Sequence, residues 1–346
     1  VPKRVTMATV AAHVGVSVAT VSNAYNNPTQ LSPATRRRIL TAAKKLGYRG
    51  PNATARSLRT QKTGNIGVLF TDDLTYAFED KASVDFLAGM AEASYGTNYA
   101  LTLVPAFGET LAPAELIGRT AVDGFAVYSV GERDPYLAEV LRHHLPVVVC
   151  DQPYCPENVP FVGIDDHAAI APAAQALVDA GHTRPGIVCI RLDRERHDGL
   201  VSSSRLGNAT HHVQRSRVQG ALEVFHAAGI YDVPIIERYI NNKHTAVSAT
   251  RELLELFPDR DAICCTTDSL ALGAYACTGG RLAVTGFDGV EEAVNLGITT
   301  VDQHNKRKGA EVGKMLNALI AGAPARHAVL PTEFIPGRTA GIRRDL

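Results

Sequence analysis

No Cys-x-x-Cys pair and no Cys/His zinc spacing occurs, although there are six cysteines (Cys150, Cys155, Cys189, Cys264, Cys265 and Cys277). A structural metal and a dithiol redox motif are therefore not expected. Four of the six fall within or beside apolar runs that read as buried strands. No run of about 18 apolar residues is present and no apolar signal region stands near Val1, so the chain is expected to be neither secreted nor membrane-spanning, and a reducing cytoplasm fits best. The Gly-x-Ser-x-Gly elbow, the phosphate-binding Gly-Lys-Ser/Thr loop and the His-Glu-x-x-His site are also missing, so no enzyme, catalytic residue or cofactor is expected. The last absence is the most informative: residues 1–62 contain no Asp or Glu.

That stretch carries Lys3, Arg4, Arg36, Arg37, Arg38, Lys44, Lys45, Arg49, Arg56, Arg59 and Lys62. The whole chain, with 35 basic and 35 acidic residues, is formally neutral, so the remaining 284 residues hold 24 basic against 35 acidic groups. A basic segment without carboxylates favours a polyanion, because each neutralised phosphate releases a condensed counterion. Length, with 346 residues, predicts two or three domains, and 45% hydrophobic with 20% charged content fits globular ones.

From Thr6 as N-cap, a short helix turns Val10, Ala11 and Val14 to one face and stops at Gly15. Ser17 caps a second helix from Val18 to about Asn26, with Val21 and Ala24 inward and Val18, Ala19, Thr20, Ser22 and Asn23 free to face outward. Ser32 caps a third, Pro33 takes its first position, Ile39, Leu40, Ala43 and Leu46 form its apolar stripe, and Gly47 ends it. Two short helices around a tight glycine turn make a helix-turn-helix.

Thr9-Val10-Ala11-Ala12, Gly15-Val16-Ser17 and Ala19-Thr20-Val21-Ser22-Asn23-Ala24-Tyr25-Asn26 resemble the lac repressor family. Ser32-Pro33-Ala34-Thr35-Arg36, Leu46-Gly47-Tyr48 and Pro51-Asn52-Ala53-Thr54-Ala55-Arg56-Ser57-Leu58 extend the resemblance, the last being similar to the family's hinge. The resemblance implies that Val18, Ala19 and Asn23 read base edges while Thr20 and Ser22 bind phosphate. Asn suits adenine, Val and Ala suit a thymine methyl, and hydroxyls suit phosphate. Thr6, Ser17, Asn26, Tyr48, Asn52, Ala55, Arg56 and Leu58 complete the implied DNA-contacting set. Leu58 would wedge into the central minor-groove step of operator DNA, with the hinge helical only when bound.

Beyond Lys62, apolar strands at 66–70, 101–104, 124–128, 147–150, 161–164, 187–190, 262–265 and 283–287 alternate with amphipathic helices, which argues for parallel sheets covered on both faces. The resemblance implies a two-lobed, periplasmic-binding-protein-like α/β domain with doubly wound sheets. The expected organisation is a DNA-binding domain at 1–50, a hinge at 51–62 and an effector and dimerisation domain at 63–346. Its lobes are placed at about 63–163 with 292–321, and 164–291 with 322–346, the chain crossing near 288–300 and again near Ala321.

Ligands bind beyond the carboxyl ends of such strands, where Thr71, Asp72, Asp73, Ser129, Asp151, Arg191, Thr267, Asp268 and Asp288 stand. By resemblance, Asp151, Arg217, Thr267 and Asp288 match effector-holding positions, and Tyr76 and Phe78 lie on a loop that often supplies an aromatic wall. The expected effector set is Asp72, Tyr76, Phe78, Ser129, Asp151, Arg191, Arg217, Thr267 and Asp288. Carboxylates and a guanidinium converging on a cleft suit a polyhydroxylated ligand, a sugar or nucleoside. Any one of these Asp residues could instead serve a turn or N-cap, and Arg217 could pair with a surface carboxylate.

Two segments depart from the family: a short connection at 277–282 and a longer polar insertion from Arg191 to His212. His211 and His212 are expected to be solvated loop residues, ligand contact being the alternative. No leucine heptad follows residues 332–336, so a homodimer on palindromic double-stranded DNA is expected. A stand-alone sugar-binding module fits the larger domain but not the basic leader. Repression is the expected role; activation and ligand-strengthened repression stay open.

Overall fold

The computed structural model describes residues 5–50, 62–70, 74–106, 111–154, 159–324 and 326–342. The chain divides into two compact units, Val1–Gly64 and Asn65–Leu346.

In the first unit, the helices are α1 (Met7–Val14), α2 (Val18–Asn26) and α3 (Pro33–Leu46), with a 3-10 turn at Pro28–Gln30. The side chains of Thr6, Ser17 and Ser32 each accept a backbone N–H in the first turn, which satisfies donors that a helix start leaves open. Gly15 (φ 74°) and Gly47 (φ 75°) close α1 and α3 in the left-handed region, where a Cβ would be strained. α1 and α2 meet at 109°. Val10, Ala11, Val21, Ala24, Ile39 and Ala43 form one small core. Arg36 and Arg38 tie α3 to the carbonyls of Ala24 (3.1 Å) and Val14 (3.2 Å). No single helix among the described residues is long and apolar enough to cross a membrane.

The second unit holds two parallel sheets. The first contains β1 (Asn65–Phe70), β2 (Ala100–Pro105), β3 (Phe125–Tyr128), β4 (Val147–Cys150), β5 (Phe161–Gly163) and β12 (His327–Val329), in the order β12-β5-β4-β3-β1-β2. One face is covered by α5 (Lys81–Ser94), which follows the short helix α4 (Leu74–Glu79), and by α14 (Asn305–Ile320), through Phe86, Met90, Val312 and Leu316. The other is covered by α6 (Pro113–Arg119) and α7 (Pro135–Arg142), through Ile117, Leu137 and Val140. α5 and α14 cross backbone to backbone: a Cβ on Gly309 would overlap the Phe86 carbonyl, and one on Gly89 the Lys306 carbonyl.

In the second sheet, β6 (Pro185–Ile190), β8 (Ile235–Arg238), β9 (Ala262–Cys265) and β10 (Ala283–Thr285) run parallel, and β7 (Gly199–Leu200) is antiparallel on the edge; the order is β10-β9-β6-β8-β7. α8 (Asp166–Asp179) and α10 (His212–Ala227) cover one face through Ile170, Leu177, Val218 and Phe225. α11 (Lys243–Leu256) and α12 (Asp268–Cys277) cover the other through Ala249, Leu253, Leu270 and Ala274.

Five strands escaped the sequence reading, β7, β8 and β12 among them. β8 carries Glu237 and Arg238, both buried, and so lacks the uniform apolar run of its neighbours. β11 (Thr300–Asp302) and β13 (Glu333–Ile335) are short, pair antiparallel with each other and carry the chain between lobes. The lobe boundaries need correction. Ala293, on the short helix α13 (Glu291–Leu296), and Ile298 pack in the second lobe's core, so the first return crossing falls after 298. β12 pairs with β5, so the chain stays in the first lobe past Ala321 until 329. The insertion from Arg191 is not an open loop: it holds β7 and the short helix α9 (Ser203–Gly207).

Candidate functional site

On the first unit, Val18 (47% exposed) and Ala19 project outward at the start of α2, while Thr20, Ser22, Asn23 and Asn26 are partly covered. The Ser22 hydroxyl accepts from the Asn26 amide (3.1 Å), and the Asn23 amide oxygen accepts from Asn27 (3.4 Å). Thr6 and Ser17 are exposed caps, and Tyr48 packs edge-on against Tyr25 at 5.9 Å. Arg37, Lys44, Lys45 and Arg49 are exposed on the same carboxylate-free unit. Asn52, Ala55, Arg56 and Leu58 lie outside the described residues, as do Thr71, Asp72 and Asp73.

In the second unit, the carboxyl ends of the two sheets converge on a cavity between the lobes. An inner chamber of about 60 Å³ is lined by Tyr76, Ser129, Asp151, Arg191, Arg217, Thr267 and Asp288, together with Asp80, Gln214, Asn241 and Gln303. An outer chamber of about 500 Å³ shares Tyr76, Asp80, Arg191 and Asn241 with it and adds Tyr239, Asn242, Lys243 and Glu292. The larger chamber reaches the exposed Lys243 and Glu292, whereas the dense, buried polar chemistry lies in the smaller one. Ser129 (φ 51°), Asp151 (φ 66°) and Asp288 (φ 130°) adopt left-handed backbone immediately past or near the ends of β3, β4 and β10. Non-glycine residues hold such strained conformations where the surrounding structure fixes them, commonly at functional sites.

The charges are arranged as buried pairs. Lys308, fully buried on α14, donates to both oxygens of Asp151 (2.8 and 3.0 Å) and to Gln303 Oε1 (2.6 Å). Arg217, on α10, donates to Asp166 (2.8 Å), the Thr266 carbonyl (3.0 Å) and Gln303 Oε1 (3.2 Å), and its guanidinium lies over the Phe287 ring at 3.9 Å. Gln303 also donates to Asp288, so one amide just past β11 joins the charged groups of both lobes. Burial pushes the carboxyl of Asp288 well above its ordinary range, with Arg217 opposing and Asp268 reinforcing the rise. Asp268, itself buried, is raised to about 6 by desolvation, although it accepts from Thr300 and the Val290 amide.

Across the cleft, Gln152 donates to Gln214 (3.2 Å) and accepts from the Val213 amide (3.1 Å). Asn241 donates to the Tyr76 hydroxyl (2.9 Å) and accepts from Thr267 (2.8 Å), which also caps α12. The lobes are thus in contact in this structure.

Phe78 departs from its expected role: it is 63% exposed and lines neither chamber. Arg217 pairs with a buried carboxylate, not a surface one. His211 is 4% exposed with Nδ1 unpartnered, and burial lowers its pKa to about 4; it lies against Gly131 of the first lobe, so it is no solvated residue. Gln152, Gln214, Asn241, Gln303, Asp80, Asp166 and Lys308 were not anticipated. Asn241 and Gln303 follow β8 and β11, the strands that the polar residues concealed, and recognising those strands would have exposed both.

Residues 6–52 match the family described as bacterial regulatory proteins, lacI family, and residues 63–323 match periplasmic binding proteins and the sugar binding domain of the LacI family. The HTH-type transcriptional regulator IpsA of Corynebacterium glutamicum is 48% identical over 348 residues, covering 96% of this chain and 97% of that protein. An HTH-type transcriptional regulator of Mycobacterium tuberculosis is 43% identical, covering 98% of each. A solved LacI-family regulator from Corynebacterium glutamicum superimposes with TM-score 0.77 at 44% identity, covering 96% of this chain and 98% of that one. The chain belongs to the LacI family of DNA-binding transcriptional regulators, a non-enzymatic family. The regulator CelR in complex with cellobiose (TM-score 0.67, 25% identity, covering 97% and 100%) has a similar structure. The lac repressor dimer bound to operator and the anti-inducer ONPF (TM-score 0.76, 20% identity, covering 98% and 99%) shares the fold.

Proposed function

We propose that the protein represses a sugar or nucleoside metabolism operon, binding a palindromic operator as a homodimer and releasing or gripping it according to an effector held between the lobes. The observation that carries this reading is the inner chamber, where seven of the nine expected effector residues stand together with amide side chains from both lobes. Hydroxyls can both donate to carboxylate lone pairs and accept from guanidinium or amide N–H groups, which a polyhydroxylated ligand offers at several adjacent positions.

α2 would enter the major groove with Val18, Ala19 and Asn23 at base edges and Thr20 and Ser22 at phosphates. The hinge at 51–62, with Leu58 as wedge, would couple lobe movement to the operator. A ligand can shift this equilibrium only through different contacts in the two lobe arrangements, and contacts between lobes such as Gln152–Gln214 and Asn241–Tyr76 are the ones that a lobe movement would change.

Selection of bound duplexes from random DNA, followed by titration of the recovered site with sugars and nucleosides, tests the reading. A recurrent palindrome whose occupancy changes with one of these compounds is expected. Binding without sequence preference would refute the regulator mechanism proposed.

A further inference from the structure

We propose that the part of the effector seated in the inner chamber is hydroxylated and carries no anionic group, so that free sugars or nucleosides bind there while their phosphate esters and sugar acids do not. This rests on the hydroxylated-effector reading above and narrows it.

The argument is one of charge. Anion sites present cations whose donors point at the ligand, commonly arginine in a planar fork. Here the cations are already committed. The three donors of Lys308 are met by the two oxygens of Asp151 and by Gln303. Arg217 is engaged by Asp166, the Thr266 carbonyl and Gln303. Arg191 lies over the Tyr239 ring at 5.6 Å. Against these three cations stand the carboxyls of Asp80, Asp151, Asp166, Asp268 and Asp288, all buried. A phosphate would add a charge of roughly −1.5 to −2 beside them, in a low-dielectric space where like charges repel strongly.

Calorimetric titration of the full chain with hexoses, pentoses, nucleosides and their phosphate esters and acids gives the first test. Binding confined to uncharged members is expected, with the corresponding phosphate ester weaker by on the order of 100-fold. Equal or tighter binding of an anionic sugar overturns the proposal and leaves the hydroxylated-effector reading standing. Binding of none of the panel removes both.

A second test needs no identified effector and uses inorganic phosphate as the probe, with thermal unfolding read at matched ionic strength. Asp151→Asn leaves Lys308 without its counter-charge, and Asn tolerates the left-handed backbone at this position. Phosphate is expected to stabilise Asp151→Asn and to leave wild type and Asp151→Asn/Lys308→Met unmoved. Saturable phosphate stabilisation of wild type, or none in a folded Asp151→Asn, overturns the proposal.

Discussion

Replacing Lys308 with methionine keeps an unbranched side chain, one atom shorter, and removes its charge. The pair it forms with Asp151 is deeply buried, at 0% and 8% side-chain exposure, and the ammonium makes three hydrogen bonds. Removing one member of such a pair leaves a buried charge uncompensated, at a cost of about 3–5 kcal/mol. For a domain of this size each kcal/mol moves the midpoint by roughly 2 °C, so Tm should fall by about 6–10 °C. Asp151→Asn/Lys308→Met should recover most of that loss, because replacing both members of a buried pair is often close to neutral. Denaturant unfolding of the two single variants and the double variant, read as a thermodynamic cycle, yields the coupling directly. A loss below about 1 kcal/mol, the range of exposed ion pairs, would refute the burial argument.

The same cycle on Arg205 and Glu237 should behave alike, since Glu237 is fully buried and accepts from Arg205 twice and from the Leu192 amide; Arg205→Met is expected to cost about 3 kcal/mol in urea unfolding. His211 is held neutral in the fold by burial, with its pKa lowered to about 4. The unfolded chain takes up the proton first, so this group's stability contribution is present above the unfolded value of about 6.5 and is lost as pH falls towards 4. Melting curves across that window should show an acid sensitivity that His211→Gln reduces. Asp268 and Asp288 work in the opposite direction: a carboxyl raised by burial binds its proton more tightly in the fold, so its contribution declines as pH rises from the unfolded value of about 4 through the folded pKa. Phe78→Ala should change stability by no more than about 0.5 kcal/mol and leave effector affinity unaltered in calorimetry, as befits an exposed side chain. Asn23→Ala should cost about 1–3 kcal/mol of operator binding, measured by gel shift, with discrimination lost at one base pair.

The first unit was legible because its determinants are local. Caps at Thr6, Ser17 and Ser32, stops at Gly15 and Gly47 and a 3.6-residue apolar period act within a few positions of the chain, and the structure places the three helices where those signals stand. The apolar strands were legible for a similar reason: a parallel strand buried on both faces has an almost continuously apolar sequence. β8 and β11 fail that test because Glu237 and Arg238 find partners on other elements, Arg205 and Glu252, and Asp302 pairs with His304 just past the end of its own strand.

By itself, then, the sequence determined the helix-turn-helix, the alternating strands and helices, and the strand-end residues Ser129, Asp151 and Asp288, since topology sends the carboxyl ends of parallel strands to one edge. Tertiary structure alone decided which charges meet. Lys308 lies 157 positions from Asp151, and Arg217 lies 51 from Asp166; neither pairing leaves a trace in local pattern or spacing. Burial likewise turned His211 from a polar loop residue into a neutral interior one. The cost of desolvating a charge depends on everything that surrounds it, and only the folded chain assembles those surroundings.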